Sequence, residues 1–204
     1  MAASSVPARE TRPGSAVAIL WIVTGAIGWV VSFLLYHEYI GQLTGAEAMI
    51  TCDISPIVTC GPNLLSPGGN LLGFSNSIIG IVLFPGAVFA GVSALAARSG
   101  LRPWYWRVFA LFVTGAVVFV HVLAWRSVFE YGSLCPWCMV VWLVTIPLFW
   151  TTCGWTLRAG VWGRGAGVER VGAFVLSWSP LIVVLDYLLI AVAAQLRLDV
   201  LGTL

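Results

Sequence analysis

Two pairs of cysteines carry the chemistry open to this chain. Cys52 and Cys60 bracket "CDISPIVTC", and Cys135 and Cys138 bracket "CPWC" at the start of a long apolar run. A bridge across two intervening residues closes so small a loop that it removes little chain entropy and makes a poor staple. The same spacing keeps a second sulfur in reach to resolve a mixed disulfide, which is what a reversible dithiol needs. Pro136 directly follows Cys135. Proline at a first helical turn would leave Cys135 beside unpaired N–H groups and the positive end of the helix, lowering its thiol pKa and making it a good leaving group. For Cys52 with Cys60, a static bridge bracing a loop is an equal reading. Four cysteines also suit zinc, but the wide spacing of the first pair and an oxidising surrounding argue against it. Cys153 lies about 22 Å further along the helix that Cys138 opens, at 1.5 Å per residue, so it reads as a free thiol apart from the others.

The elements that must hold these sulfurs are membrane spans. The 204 residues are 60% hydrophobic and only 9% charged, against roughly a quarter charged in a soluble domain. All the basic residues are arginine and the net charge is +2, so nothing offers a basic face to nucleic acid. Five stretches, 16–36, 77–97, 107–126, 137–156 and 178–196, are long and apolar enough to cross about 30 Å of hydrocarbon. Pro147 should kink the fourth, whereas Pro180 sits near the start of the fifth, where proline is tolerated. Of the tryptophans, Trp104, Trp106, Trp125, Trp155 and Trp178 fall where interfacial belts belong. With the N-terminus inside, Arg9, Arg12, Arg98, Arg102, Arg107, Arg158, Arg164 and Arg170 are cytoplasmic, and only Arg126 and Arg197 lie outside. The arginine-free loop 38–75 and the 127–136 connection then share the extracytoplasmic face, and with them all four paired cysteines. The expected layout is a cytoplasmic tail over 1–15, a membrane domain over 16–196 with its outer redox loop at 38–75, and a short outer tail over 197–204.

Two disulfide-forming pairs on one face, one in a loop and one fixed at the membrane, suggest a relay. The loop pair would exchange electrons with a partner in solution, and the helix pair with a carrier in the lipid. About sixteen residues follow Cys60 before the second span, enough for some 50 Å of extended chain, with Ser66-Pro67-Gly68-Gly69-Asn70 as a turn-rich hinge. Cys60 can therefore reach Cys135. A short helix before the hinge, capped by Ser55 with Pro56 at its first position and ended near Gly61-Pro62, would lay Ile57, Val58, Leu64 and Leu65 over the bundle as a lid. A two-electron carrier in lipid, beside a dithiol and without a nucleotide loop or haem ligands, is most simply a quinone. Its slot needs apolar walls and a few hydrogen-bond donors. Asn76 in "SNSIIG" is the best-placed donor, and Phe74, Phe84 and Phe119 are candidate walls.

Taken together, "CDISPIVTC", Ser66, "SNSIIG" and "CPWC" at a helix head resemble the vitamin K epoxide reductase family in its bacterial form, over roughly residues 16–155. The resemblance implies an all-α, polytopic membrane protein: a four-helix bundle around a quinone, menaquinone or ubiquinone, plus a fifth transmembrane helix and an outer loop with a short lid helix. It further implies that Cys138 faces the quinone, that Cys60 attacks Cys135, that Cys52 meets the external protein, and that Asn76 bonds a quinone carbonyl, with Ser66 near it. Animal members carry a tyrosine four residues after the second motif cysteine. Here that position is Trp142, an N–H donor of different reach. Bacterial relatives often carry a fused thioredoxin-like domain; with only about eight residues after Leu196, the partner is expected to be a separate DsbA-like protein. DsbA-type oxidants lie near about −120 mV and must be reoxidised, so electrons should run from partner to quinone. Reduction of a quinone or its epoxide for vitamin K-type recycling is the other catalytic use, and a non-enzymatic protein with structural disulfides is the alternative outside catalysis.

Among the remaining polar residues, Asp186 in the middle of the fifth span is costly unless paired. It is expected to face the bundle, toward His121 or a backbone carbonyl, and less plausibly to feed protons to a quinone. His37 and Glu38 at the outer rim read as solvated, and Asp53 as a surface residue or a neighbour that tunes Cys52.

Overall fold

The computed structural model describes residues 12–45, 57–97, 99–163 and 165–203. Within them the chain is all-α, and five helices are long and apolar enough to cross a membrane. Helix α1 (Ser15–Thr44) stops at Gly45, which takes the left-handed conformation that ends a helix cheaply. After the short α2 (Gly61–Leu65) come α3 (Asn76–Ala96) and α4 (Pro103–Arg126), the latter continuing as a π-helical turn over Ser127–Tyr131. The rest is α5 (Pro136–Arg158), α6 (Ala166–Ser177), α7 (Ser179–Leu198) and the terminal α8 (Val200–Thr203).

Helix α1 reaches well beyond the expected span, so residues 38–44, assigned above to the outer loop, are helical. The lid helix also begins where the sequence suggested it would end. Gly61 and Pro62 open α2, because proline's missing N–H costs nothing in a first turn. The β-branched stretch before it is extended: Val58 forms a parallel bridge with Leu134, the Thr59 N–H donates to Leu134 O at 3.0 Å, and the Leu134 N–H donates to Ile57 O at 2.7 Å. The expected cap Ser55 and Pro56 lie outside the described residues. Val58 and Leu64 are buried, whereas Leu65 is exposed.

Small residues set the closest seam of the bundle. Gly25, Gly28 and Ser32 of α1 meet Ala87, Phe84 and Gly80 of α3, and a Cβ on Gly28 or Gly80 would collide with Phe84 or Ser32. In lipid, where apolar surface gains little by leaving the solvent, this close approach supplies packing energy through dispersion. Helix α3 and helix α4, by contrast, separate around a cavity described below. At the arginine end, Trp21, Trp106, Phe109 and Trp155 form an aromatic core, with ring centroids 4.8 to 6.5 Å apart. Trp106 and Trp155 are therefore core residues and not belt residues, while Trp104, Trp125 and Trp178 are exposed as expected.

The fifth crossing is a broken helix. Helix α6, in a stretch expected to be a connection, runs antiparallel to the end of α5, with Gly172 against Leu157 and Arg158 and Leu176 against Gly154. The break falls at Trp178, and Pro180 opens α7. Proline deprives the Leu176 carbonyl of its usual donor, and the Ser179 hydroxyl donates to it instead at 2.9 Å. Pro147 likewise strips the Leu143 carbonyl inside α5, and here the Tyr187 hydroxyl of α7 donates at 2.6 Å. One residue earlier, Asp186 receives the Trp150 indole N–H at 3.0 Å and pairs with His121 Nε2 at 2.9 Å. Asp186 thus faces the bundle and joins α7 to both α4 and α5.

Candidate functional site

The site forms where the bridge at Val58 and Leu134 aligns the two cysteine-bearing segments. Cys135 is the N-cap of α5, with Pro136 in its first turn, and its sulfur accepts the Cys138 N–H at 3.3 Å. Cys60 is the N-cap residue of α2 and is disulfide-bonded; Cys135, Cys138 and Cys153 are free thiols. Cys52 and Asp53 lie outside the described residues. Cys60 and Cys135 are both completely buried, and their sulfurs lie 3.3 Å apart. That separation is near van der Waals contact, so exchange between them needs no large motion of the backbone. Hydrogen bonding from the Cys138 thiol holds the Cys135 pKa below the ordinary thiol value. Burial opposes the shift, the Cys138 and Trp137 N–H groups reinforce it, and the Glu38 charge opposes it.

A buried amide fastens this arrangement. Asn63, on α2, donates through Nδ2 to Ser133 O at 3.0 Å and Ser133 Oγ at 2.8 Å, and its Oδ1 accepts the Ser127 hydroxyl at 2.9 Å. The lid helix, the π turn and the approach to Cys135 are thereby tied at one side chain. Sequence reasoning missed Asn63; the signal was a lone amide inside an otherwise apolar lid. The turn-rich hinge is also fastened. The Ser66 hydroxyl donates to Asn63 O at 2.7 Å and accepts the Gly69 N–H at 2.9 Å, while Asn70 Nδ2 donates to Leu64 O at 2.9 Å and Ser66 O at 3.1 Å. Gly69 sits so close to the Asn63 and Leu64 carbonyls that any Cβ there would clash.

Below the lid lies a cavity of about 810 Å³ between α3 and α4, closed behind by α1 and α5. Its walls are mostly apolar and include Phe84 and Phe119 but not Phe74. Ser66, Asn76, Trp142 and Cys138 all reach it. Asn76 uses one amide hydrogen on the Gly68 carbonyl, and its oxygen accepts the Leu71 N–H at 3.3 Å, leaving its second N–H available. Tyr131, unremarked in the sequence, also lines the cavity; its buried hydroxyl has no hydrogen-bond partner among the described residues. Glu38 is buried, not solvated as its rim position suggested, while His37 is exposed.

Five membrane-length helices that set a thiol pair against an apolar cavity make a polytopic membrane protein. The vitamin K epoxide reductase family profile matches residues 19–153, about two thirds of the chain, and the chain belongs to that family. Its members are in general quinone-linked thiol oxidoreductases that act with thioredoxin-fold partners. No curated protein is significantly similar to the chain.

Proposed function

We propose that the protein reoxidises a DsbA-like, thioredoxin-fold protein outside the cytoplasm and passes the electrons to menaquinone or ubiquinone, sustaining disulfide formation. The carrying observation is the 3.3 Å contact between Cys60 and Cys135, with Cys138 of the same dithiol on the wall of the cavity. In this scheme a partner thiolate attacks Cys52 of a Cys52–Cys60 disulfide and Cys60 leaves. Cys60 then attacks Cys135 of a Cys135–Cys138 disulfide, and Cys138 is released facing the cavity. The partner's second thiol attacks its own sulfur in the mixed disulfide, so that the partner leaves oxidised and Cys52 is freed; Cys52 then attacks Cys60, which restores the loop disulfide and frees Cys135. The arginine asymmetry supports placing these sulfurs on the extracytoplasmic side.

The residues present fit a quinone. About 810 Å³ lies in the range of small-ligand sites, the walls are apolar, and the buried Tyr131 hydroxyl is an orphaned donor at its surface. The second N–H of Asn76, the Tyr131 hydroxyl and the Trp142 indole would hold the quinone oxygens, while Ser66 shapes the lid from above. The quinone supplies a two-electron, two-proton acceptor. The divergence of α3 from α4 gives it a lateral way in from lipid.

The test is reduction of added menaquinone or ubiquinone analogue by reduced DsbA-like protein, followed optically with protein in nanodiscs. Wild type should turn over and Cys138→Ala should not. A wild type that transfers no electrons with its thiols intact, or labelling that puts Cys60 and Cys135 on opposite sides of the membrane, would end the proposal.

A further inference from the structure

Among the described residues, Glu38 is a buried carboxylate on the helix face that covers the Cys60 and Cys135 cluster, and the relay as drawn leaves it idle. Helix α1 carries Val31 and Leu35 into the buried cluster that contains Cys60, Leu64 and Cys135. Glu38 stands one turn beyond Leu35 on that face, and Gln42 stands one turn further, its side chain over Gly61 next to Cys60. Glu38 is thus bracketed on its own helix by residues that touch the Cys60 region above and below. It is 4% exposed, and its hydrogen-bond partner is Gln42 Nε2 at a long 3.4 Å. A carboxylate so placed is costly unless it works or is compensated. Among the described residues, the titratable groups packed in this cluster are Cys60 ahead of α2, Cys135 and Cys138 at the start of α5, and Tyr39 on α1; the sequence of α3 carries none.

From this placement we infer that Glu38 carries the proton exchanged between Cys60 and Cys135 during sulfur transfer. The inference rests on the relay proposed above. In the first half-step the Glu38 carboxylate takes the Cys60 thiol proton as Cys60 Sγ bonds to Cys135 Sγ. The Cys135–Cys138 bond breaks, and Cys138 leaves as a thiolate with the electron pair. In the second, Cys52 loses its proton to water and bonds to Cys60, and the Cys60–Cys135 bond breaks. Cys135 departs with that electron pair and receives the proton held on Glu38. The loop pair is oxidised by two electrons and the helix pair is reduced by two. One proton has moved through Glu38 and one has gone to water; the thiolate left on the helix pair forms at Cys138 and comes to rest on Cys135, with Cys138 as the thiol that donates to it. The gain is electrostatic: during the transfer itself a carboxylate and a thiolate do not have to form together at the Cys60–Cys135 contact, because either the acid or the sulfur holds the charge.

The full chain in nanodiscs, fully oxidised, is mixed with one equivalent of dithiothreitol, quenched with N-ethylmaleimide, and scored by peptide mass spectrometry for labelling at Cys60 and then Cys138. Glu38→Gln, which keeps the shape and an amide to meet Gln42, should slow the transfer from loop to helix pair on the order of 10²-fold at pH 7. The deficit should shrink as the pH approaches that of free thiolates, and Glu38→Asp should keep most of the rate. A Glu38→Gln protein that transfers as fast as wild type or faster overturns the inference, since removing a mere repulsive charge would ease Cys135 ionisation. An equal deficit at every pH overturns it too, since that is a packing effect. If Glu38→Gln fails to fold, the Cys52→Ala protein, held as the Cys60–Cys135 mixed disulfide by alkylating Cys138, still decides: its infrared difference spectrum against the form with Cys60 as a thiol should contain a protonated-carboxyl band that shifts in deuterium oxide, and no such band sinks the inference. Quinone reduction is read separately on wild type, so its failure would remove the acceptor and leave the transfer result standing.

Discussion

The two ends of the bundle are built on different chemistry. At the cysteine end, segments far apart in sequence are joined by directional bonds: the two N–H to O=C bonds at Leu134, the three bonds of Asn63, and the ties of Ser66 and Asn70. At the arginine end, Trp21, Trp106, Phe109 and Trp155 interlock, and the buried Trp21 indole donates to Thr151 Oγ1 at 3.2 Å. Each neutral hydrogen bond contributes only about 0.5–1.5 kcal/mol net, whereas a buried aromatic ring carries several times that through area and dispersion. The end that must exchange sulfur bonds is therefore held by many weak, geometrically exacting contacts, and the opposite end by few strong, permissive ones.

The sharpest way to break this contrast is Trp21→Ala, which should cost about 3–5 kcal/mol by emptying the aromatic core. Thermal unfolding in nanodiscs should show a large drop, while the rate of sulfur transfer per folded molecule stays near wild type. Asn63→Ala should cost less, about 1–3 kcal/mol, since it leaves Ser127 and Ser133 groups buried without a partner. Its signature is local: amide hydrogen exchange should accelerate over 57–66 and 127–134, and transfer from Cys60 to Cys135 should slow even where the helices remain folded. A mutant that destabilises globally with no local signature would erase the distinction between the ends.

The smallest effect is a titration. The Cys135 pKa is lowered from the ordinary 9.0, so the folded state favours its thiolate. The stability it contributes is present in full above the unfolded value and is lost as pH falls through the lowered folded value. The difference in ultraviolet thiolate absorbance between wild type and Cys135→Ala should therefore have its midpoint below about 9, the unperturbed thiol value quoted above. A midpoint above that value would mean burial outweighs the donated hydrogen bonds.

The spans were legible because hydrocarbon leaves little choice: about twenty apolar residues without charge must form a helix. The sulfur pairs were legible because spacing and proline position are local signals. What sequence concealed depended on helix rotation and on tertiary bonds. Trp106 and Trp155 sit near helix ends, where a ring serves equally as belt or core, and only the turn of α4 and α5 toward Trp21 decides. Glu38 reads as solvated until α1 is seen to continue past the expected boundary and bury that face. Gly61-Pro62 is a stop signal after a helix and a start signal before one, and the strand-like Ile57-Val58-Thr59 settles which. Helix α6 was hidden by its polar first turns, with Glu169 and Arg170 breaking the apolar run.

The bond from Tyr187 to the Leu143 carbonyl gives the last helix a part in completing the fourth. The family match covers residues 19–153, and α7, which lies beyond it, supplies the donor that Pro147 took away. Inserted without α7, the fourth span would show an unmated oxygen to hydrocarbon, at a cost of several kcal/mol. Biogenesis of the sulfur-bearing core is then finished only when α7 has entered the bilayer beside it.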